Sequence, residues 1–512
     1  MNASVIVRTL AAVVTLVCVC ASVREISERL SHPKPAEDTG GWREAARRAA
    51  AEEELGVLCA DAAAVDSVER ARLIAVAWER MPRPPRAVDV RTGLGGATQV
   101  VASSFLSAER RLSLEVLGYA PGFSNEFATV WRRTDLPAAK GPARTADVPP
   151  AGREAAGAAA VTLLLLGLLA WRLPPVRRPG ALAVSAAALA FAAGTAVTLS
   201  HGLVAPNGLG VFAGKARLAV LAGGIPEGFW TAPEFAVLQP SYPPGLFALT
   251  VLAYAVAGGC GEWLVQLLVP AASGALALTV AAHRRHRTAF VAAALLTLSP
   301  LVLRMDSGYY AEPFAALALA AGWRAVRARG ASADWFVMGL AALFRHEALI
   351  LVGCLWLGTR LTFGATPATR RGLVAALAPG LGWELFTLAV GARVYDFDFG
   401  AWPSLTRAGS AAVAVLRSGC WAFAATGGVL ALGLTAAAVS RRRGLRAALF
   451  AAGAFLAVSA ALFGFNTSVH FDWVVRFTVP RLVFLASAAV ACELAAAPFP
   501  SRAGGSRASG AP

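Results

Sequence analysis

Apolar runs of membrane length, each closed by a short polar stretch, repeat along most of this chain. From about residue 157 they follow one another near 157–174, 180–200, 262–282, 288–304, 312–328, 334–345, 347–362, 372–392, 414–439, 445–464 and 481–498. A helix crosses a bilayer with about 20 apolar residues at about 1.5 Å each, so the pattern predicts an α-helical polytopic membrane protein. The runs at 334–345 and 347–362 are short for that purpose and predict helices buried in the bundle or kinked. The opening stretch MNASVIVRTLAAVVTLVCVCAS reads as a signal peptide or an uncleaved anchor, which brings the expectation to about 12 transmembrane helices.

Residues 24–154 break this pattern. Helix-patterned runs at 42–55 and 68–81 alternate there with strand-like pieces, GVLC (56–59), RAVDV (86–90) and FATVWRR (127–133). That alternation predicts a small α/β unit. Its GLGG (93–96) is a lone glycine-rich turn, a loop in preference to a phosphate cradle. The chain therefore divides into an anchor (1–23), an extracytoplasmic α/β accessory domain (24–154), a multi-pass membrane domain (155–498) and a cytoplasmic, disordered tail (499–512).

Composition agrees with this division. The 512 residues are 57% hydrophobic and 15% charged, against about 25% charged for soluble domains. A net charge of +16 would suit nucleic acid, but the arginines punctuate apolar runs instead of forming a stripe. WRLPPVRRPG (171–180), HRRHR (283–287), WRAVRARG (323–330), TRLTFGATPATRR (359–371) and SRRRGLR (440–446) fall at every second connection. This is the positive-inside pattern; it excludes nucleic acid as a partner and orients the chain in the cytoplasmic membrane. It also requires the apolar segment 243–259 to be an interfacial or partly inserted helix on the outer face, because a full crossing there would reverse HRRHR. The seven cysteines have neither metal-ligand nor disulfide-framework spacing.

The remaining polar connections then share the outer side. They are 201–245, LRMDSGYYAEP (303–313), FRHEALI (344–350), 394–407 and 465–482. Ionisable groups at such places are costly and mark function. The first holds Lys215, Ala216 and Arg217, then Pro240, Tyr242 and Pro243; the second holds Asp306 and Glu312; the third has Arg345 and Glu347; the last has Trp473 and Arg481. In this order they resemble the GT-C superfamily of membrane glycosyltransferases, whose bacterial branch includes mannosyl- and aminoarabinose transferases. The resemblance covers roughly residues 180–485. The chain departs from it at Asn207, eight residues before Lys215, where the superfamily has its catalytic Asp, and at Gln239, Ser241 and Val474.

The resemblance implies transfer of a sugar from a polyprenyl-phosphate carrier to a lipid, glycan or protein acceptor on the outer face, with no metal and no cofactor. Such chemistry needs a base for the acceptor hydroxyl and cations for the departing phosphate. Asn207, Asp306 and Glu312 are the candidate catalytic positions, and Lys215, Arg217, Tyr242, Arg345, Glu347, Trp473 and Arg481 the candidate substrate-binding ones. Asp396 and Asp398 suit a sugar-stacking loop, and Glu227 and Glu234 are substitutes for the missing base. Two alternatives stand beside this reading. An amide at 207 fits a protein that binds lipid-linked sugars without transferring them, and a many-helix chain also suits a lipid-linked-glycan transporter, although no internal repeat is visible.

Overall fold

The computed structural model describes residues 37–49, 55–58, 86–88, 97–103, 107–126, 128–135, 180–201, 207–232, 238–257, 262–282, 287–365, 367–392, 428–439, 442–464 and 471–496, with a few isolated residues between them. The opening anchor except Cys20, the segment 157–174, GLGG, the loop 394–407, residues 465–470 and the tail 499–512 lie outside the described residues.

The polar unit is an α/β structure. After helix α1 (Glu37–Arg48) come β1 (Leu55–Leu58), β2 (Arg86–Val88), β3 (Gln99–Ser103), helix α2 (Ala108–Val116), β4 (Tyr119–Ser124) and β5 (Ala128–Arg133). They form one sheet in the order β2-β1-β3-β5-β4. β1 is parallel to β2 and β3, while β5 is antiparallel to β3 and β4. The three strand-like pieces read from the sequence correspond to β1, β2 and β5. β3 and the edge strand β4 fall outside that reading; in β3 Val100, Val101 and Ala102 are all buried, so the polar–apolar alternation of a half-exposed strand is missing. Its side chains still divide by the period of two. Val101 packs with Trp42, Ala45 and Ala46 of α1, and Val100 and Ala102 pack with Leu114 of α2 and Trp131. The α1 side of the sheet continues into Val211, Phe212 and Tyr254 of the helical part.

The helical part begins with α3 (Ala181–His201), a π-helical segment (Asn207–Gly214) and α4 (Lys215–Leu221). Next come α5 (Gly245–Ala257), α6 (Glu262–Ala281), α7 (Arg287–Thr297), α8 (Pro300–Gly308) and α9 (Glu312–Ala328). Then follow α10 (Ser332–Gly339) with a 3-10 turn (Leu340–Leu343), α11 (Glu347–Phe363), α12 (Pro367–Ala389), α13 (Val429–Val439), α14 (Arg443–Gly464) and α15 (Phe471–Ala495). Among the described residues, four helices are long and apolar enough to cross a membrane: Ala181–Ser200, Thr369–Ala389, Arg443–Leu462 and Thr478–Ala495. A fifth is reached if α7 and α8 count as one bent span. This is a membrane protein with fewer full-length spans in the described part than the apolar runs suggest.

The differences have local causes. The run 288–304 is broken by Pro300, and its halves meet at 54°; proline lacks the N–H that would continue the ladder and disfavours helix at the residue before it. The run 334–345 gives eight α-helical and four 3-10 residues, about 20 Å in all, so it is a buried short element. Segment 243–259 gives 13 helical residues, also about 20 Å, too short to cross. Small residues let the long helices approach closely. At Gly358 of α11 an added Cβ would stand 2.7 Å from the carbonyl oxygen of Ala447 in α14.

Two sets of contacts fix α9 against α15. Arg481 Nη1 lies 3.0 Å from Glu312 Oε1 near one end. At the other, Arg327 Nε lies 3.0 Å from Glu493 Oε1, which also accepts from Trp323 Nε1 at 3.1 Å. Both residue numbers rise together, so the two helices run parallel. Replacing Gly358 by Leu should force α11 and α14 apart and cost about 1–3 kcal/mol, read as a lower thermal transition of the purified protein in detergent.

Candidate functional site

Glu312 opens α9 at the point where α8 has ended. Tyr309 caps α8 in the left-handed conformation, with φ 55° and ψ 57°, an arrangement costing about 1–2 kcal/mol for a residue with a Cβ. It is held there by a hydrogen bond of 2.6 Å between its hydroxyl and that of Thr250 on α5. The turn of LRMDSGYYAEP is therefore confined to Tyr309–Ala311, and Arg304 to Gly308 still belong to α8.

Around Glu312 the chain assembles charges from three other segments. Arg481 from α15 and Arg345 from the start of α11 both face Glu312 Oε1, at 3.0 and 3.4 Å. Arg345 also pairs with Glu347 at 2.5 Å. Glu312 is fully buried, and the side chains of Arg345 and Arg481 are only 5% and 10% exposed. The Arg481 guanidinium lies 5.5 Å from the ring centre of Tyr310. The Arg345 guanidinium lies 5.3 Å from the ring centre of Tyr242. Lys215 stands on the far side of this group: its Nζ is 6.0 Å from the Tyr242 ring centre and donates to the carbonyl of Gln239 at 2.9 Å. Gln239 has φ 48°, so both non-glycine residues of positive φ among the described ones border this cluster.

Lys215 is buried with a neutral carbonyl as partner, and that burial lowers its ammonium from the usual lysine range to about 7. Removing a cation from water without a compensating carboxylate has this effect. The cluster thus holds two committed arginine–glutamate pairs and one lysine whose charge is poised near neutrality.

Six of the ten sequence-derived site positions meet here: Lys215, Tyr242, Glu312, Arg345, Glu347 and Arg481. Asp306 turns elsewhere. Its Oδ1 accepts from Ser273 of α6 at 2.8 Å, and Oδ2 is buried without a hydrogen-bond partner among the described residues, against Gly194 of α3. Arg217 faces the neighbourhood of Cys260, whose thiol feels its charge. Asn207 begins the π-helical segment and Trp473 lies in the first turn of α15, but their side chains are outside the described residues, as are Asp396, Asp398 and Glu234. Glu227 is exposed.

Several contributors carry no signal of their own in the sequence. The Gln239 carbonyl and the Thr250 hydroxyl act through backbone geometry and a contact 59 positions away. His346 pairs with Glu384 of α12, and its ring meets Tyr242 edge-on at 5.6 Å. Trp383 of α12 donates to the Ser241 carbonyl at 3.0 Å and joins Trp230 and Phe386 in an aromatic cluster. Among the described residues no group of His, Cys, Asp or Glu side chains is arranged to hold a metal ion.

No family model, curated protein or solved structure matches the chain. The reading of the site therefore stands on its geometry and chemistry.

The cluster makes a sharp stability prediction. Glu312→Ala removes the carboxylate shared by two buried guanidinium groups and should cost about 3–5 kcal/mol, while Glu312→Gln, which keeps an acceptor oxygen, should cost less. A surface pair is worth only about 0–1 kcal/mol, so thermal unfolding of the two variants beside Arg133→Ala, an exposed partner of Asp135, ranks the three.

Proposed function

We propose that the protein is a membrane glycosyltransferase that moves a sugar from a polyprenyl-phosphate carrier to an acceptor at the outer face of the cytoplasmic membrane. The observation that carries this reading is the meeting of Lys215, Tyr242, Arg345, Glu312 and Arg481 in one cluster. These residues come from four segments and were singled out by a sequence resemblance that knows nothing of their positions in space. Lys215, Arg345 and Arg481 against Glu312 and Glu347 leave one positive charge when Lys215 is protonated. A polyprenyl phosphodiester brings one negative charge.

In this reading Lys215 and Arg345 receive the phosphate, Lys215 as a compact ammonium and Arg345 through its planar fork. Glu312 and Glu347 hold Arg345 at a fixed angle, so little reorganisation is needed when charge builds on the leaving oxygen. Arg481 fixes Glu312 in turn and secures the frame from α15. The Tyr242 ring centre lies 6.0 Å from Lys215 Nζ and 5.3 Å from the Arg345 guanidinium, within reach of both cations.

A second reading is favoured by Asn207. A carboxamide can hold a sugar hydroxyl but does not take its proton, which suits a protein that binds lipid-linked sugars without transferring them. The two readings separate in one assay. Purified protein incubated with labelled polyprenyl-phosphate hexoses and pentoses should release labelled product. Donor binding with no product favours the second reading, in which case Asn207→Asp should create transfer.

Lys215 adds a pH signature. Its protonated fraction falls as pH rises through about 7, and an anionic donor binds the protonated form. The donor Kd should therefore rise above neutrality, by up to about tenfold per pH unit, and Lys215→Met should weaken binding at pH 6 and flatten the dependence. Titration calorimetry from pH 6 to 9 measures both effects.

A further inference from the structure

Each carboxylate nearest the cluster is already engaged through one oxygen. Glu312 is fully buried and takes two arginines, Glu347 is bound to Arg345, and Asp306 faces Ser273. Position 207 carries an amide. His346 differs from all of these. Its side chain is 37% exposed, its Nδ1 meets Glu384 Oε1, and its Nε2 has no hydrogen-bond partner among the described residues. Its ring packs edge-on against Tyr242, whose face is shared by Lys215 and Arg345. A partly exposed imidazole thus stands one ring away from the two cations assigned to the phosphate.

We infer that His346, oriented by Glu384, is the base that takes the acceptor's proton in glycosyl transfer. The inference rests on the transferase reading above. A carboxylate on Nδ1 keeps the proton at that nitrogen, turns Nε2 outward as the acceptor, and stabilises the imidazolium once formed. The acceptor's hydroxyl proton passes to Nε2, and the oxygen's electron pair forms the new bond at the anomeric carbon. The bond from that carbon to the phosphate oxygen breaks, and its electron pair leaves on the polyprenyl phosphate beside Lys215 and Arg345. The imidazolium then releases its proton to water. Glu384, 40% exposed on α12, is a positioning residue.

The test uses the full chain in lipid nanodiscs with labelled polyprenyl-phosphate sugars, and measures donor Kd separately from kcat. His346→Gln should keep donor Kd within about threefold and lose about 10²–10⁴-fold in kcat, the usual contribution of a general base. Free imidazole should restore part of the rate to His346→Ala. Glu384→Gln should lower kcat by about tenfold or more and move the acid limb of its pH profile. The charged or titratable groups facing His346 are Glu384 from α12, Arg345 and Glu347 beside it on the chain, and Tyr242 from the loop before α5. If wild type transfers and His346→Gln transfers equally well with the same acid limb, the inference is overturned and the transferase reading survives. If wild type transfers and His346→Gln fails to bind donor, the limb in Glu384→Gln decides: a shift supports the dyad and an unmoved limb overturns it. If wild type transfers from no donor, the transferase reading falls and the inference with it.

Discussion

The helical part is organised around one buried carboxylate. Glu312 sits where no water reaches it and would be untenable alone, since an isolated charge in a medium of low dielectric costs several kcal/mol. Two guanidinium groups, from the turn before α11 and from α15, meet that cost, and in doing so they draw two distant segments to the start of α9. Arg345 is held to Glu347 as well, so its fork cannot swing. The Tyr309 turn that delivers Glu312 is locked by Thr250 on α5, and α5 lies next to α4, which carries Lys215. The positions of the two arginines follow from satisfying that carboxylate, and the Tyr242 ring links Arg345 to Lys215.

How much of this was written in the chain depends on the kind of signal. Helical, membrane-embedded character is a property of long apolar stretches and survives any detail of packing, so it is legible directly. The interfacial reading of 243–259 rested on charge bookkeeping and agrees with a helix of only 13 residues. The break at Pro300 was not anticipated, because apolar content runs straight through it, although proline supplied the cue. In the α/β unit β1, β2 and β5 could be read, whereas the edge strand β4 was not, and β3, buried on both faces, looks the same as any short apolar run.

For the site, residue types and order singled out six positions that lie together in the structure, because buried cations and carboxylates must find one another. The same argument does not say which carboxylate they find. Asp306 and Glu312 are six positions apart in one motif, yet the former closes on Ser273 and the latter on two arginines. The pairing of His346 with Glu384 spans two helices, and no periodicity in either helix announces it. Such contacts are decided by how helices rotate about their axes, which depends on packing of small residues over the whole bundle.

The clamps at both ends of α9 and α15 carry a topological consequence. Neighbouring helices that run the same way require the chain joining them to traverse the slab an odd number of times. The turn before α11 meets the first residue of α9 through Arg345 and Glu312, so α10 with its 3-10 turn and α11 form an out-and-back excursion that adds an even number, whether or not the short arm completes a passage. The remaining segment, from α12 to α14, must therefore supply the odd count. Among the described residues of that segment, α12 and α14 are long and apolar enough to cross, whereas α13 has only 11 residues.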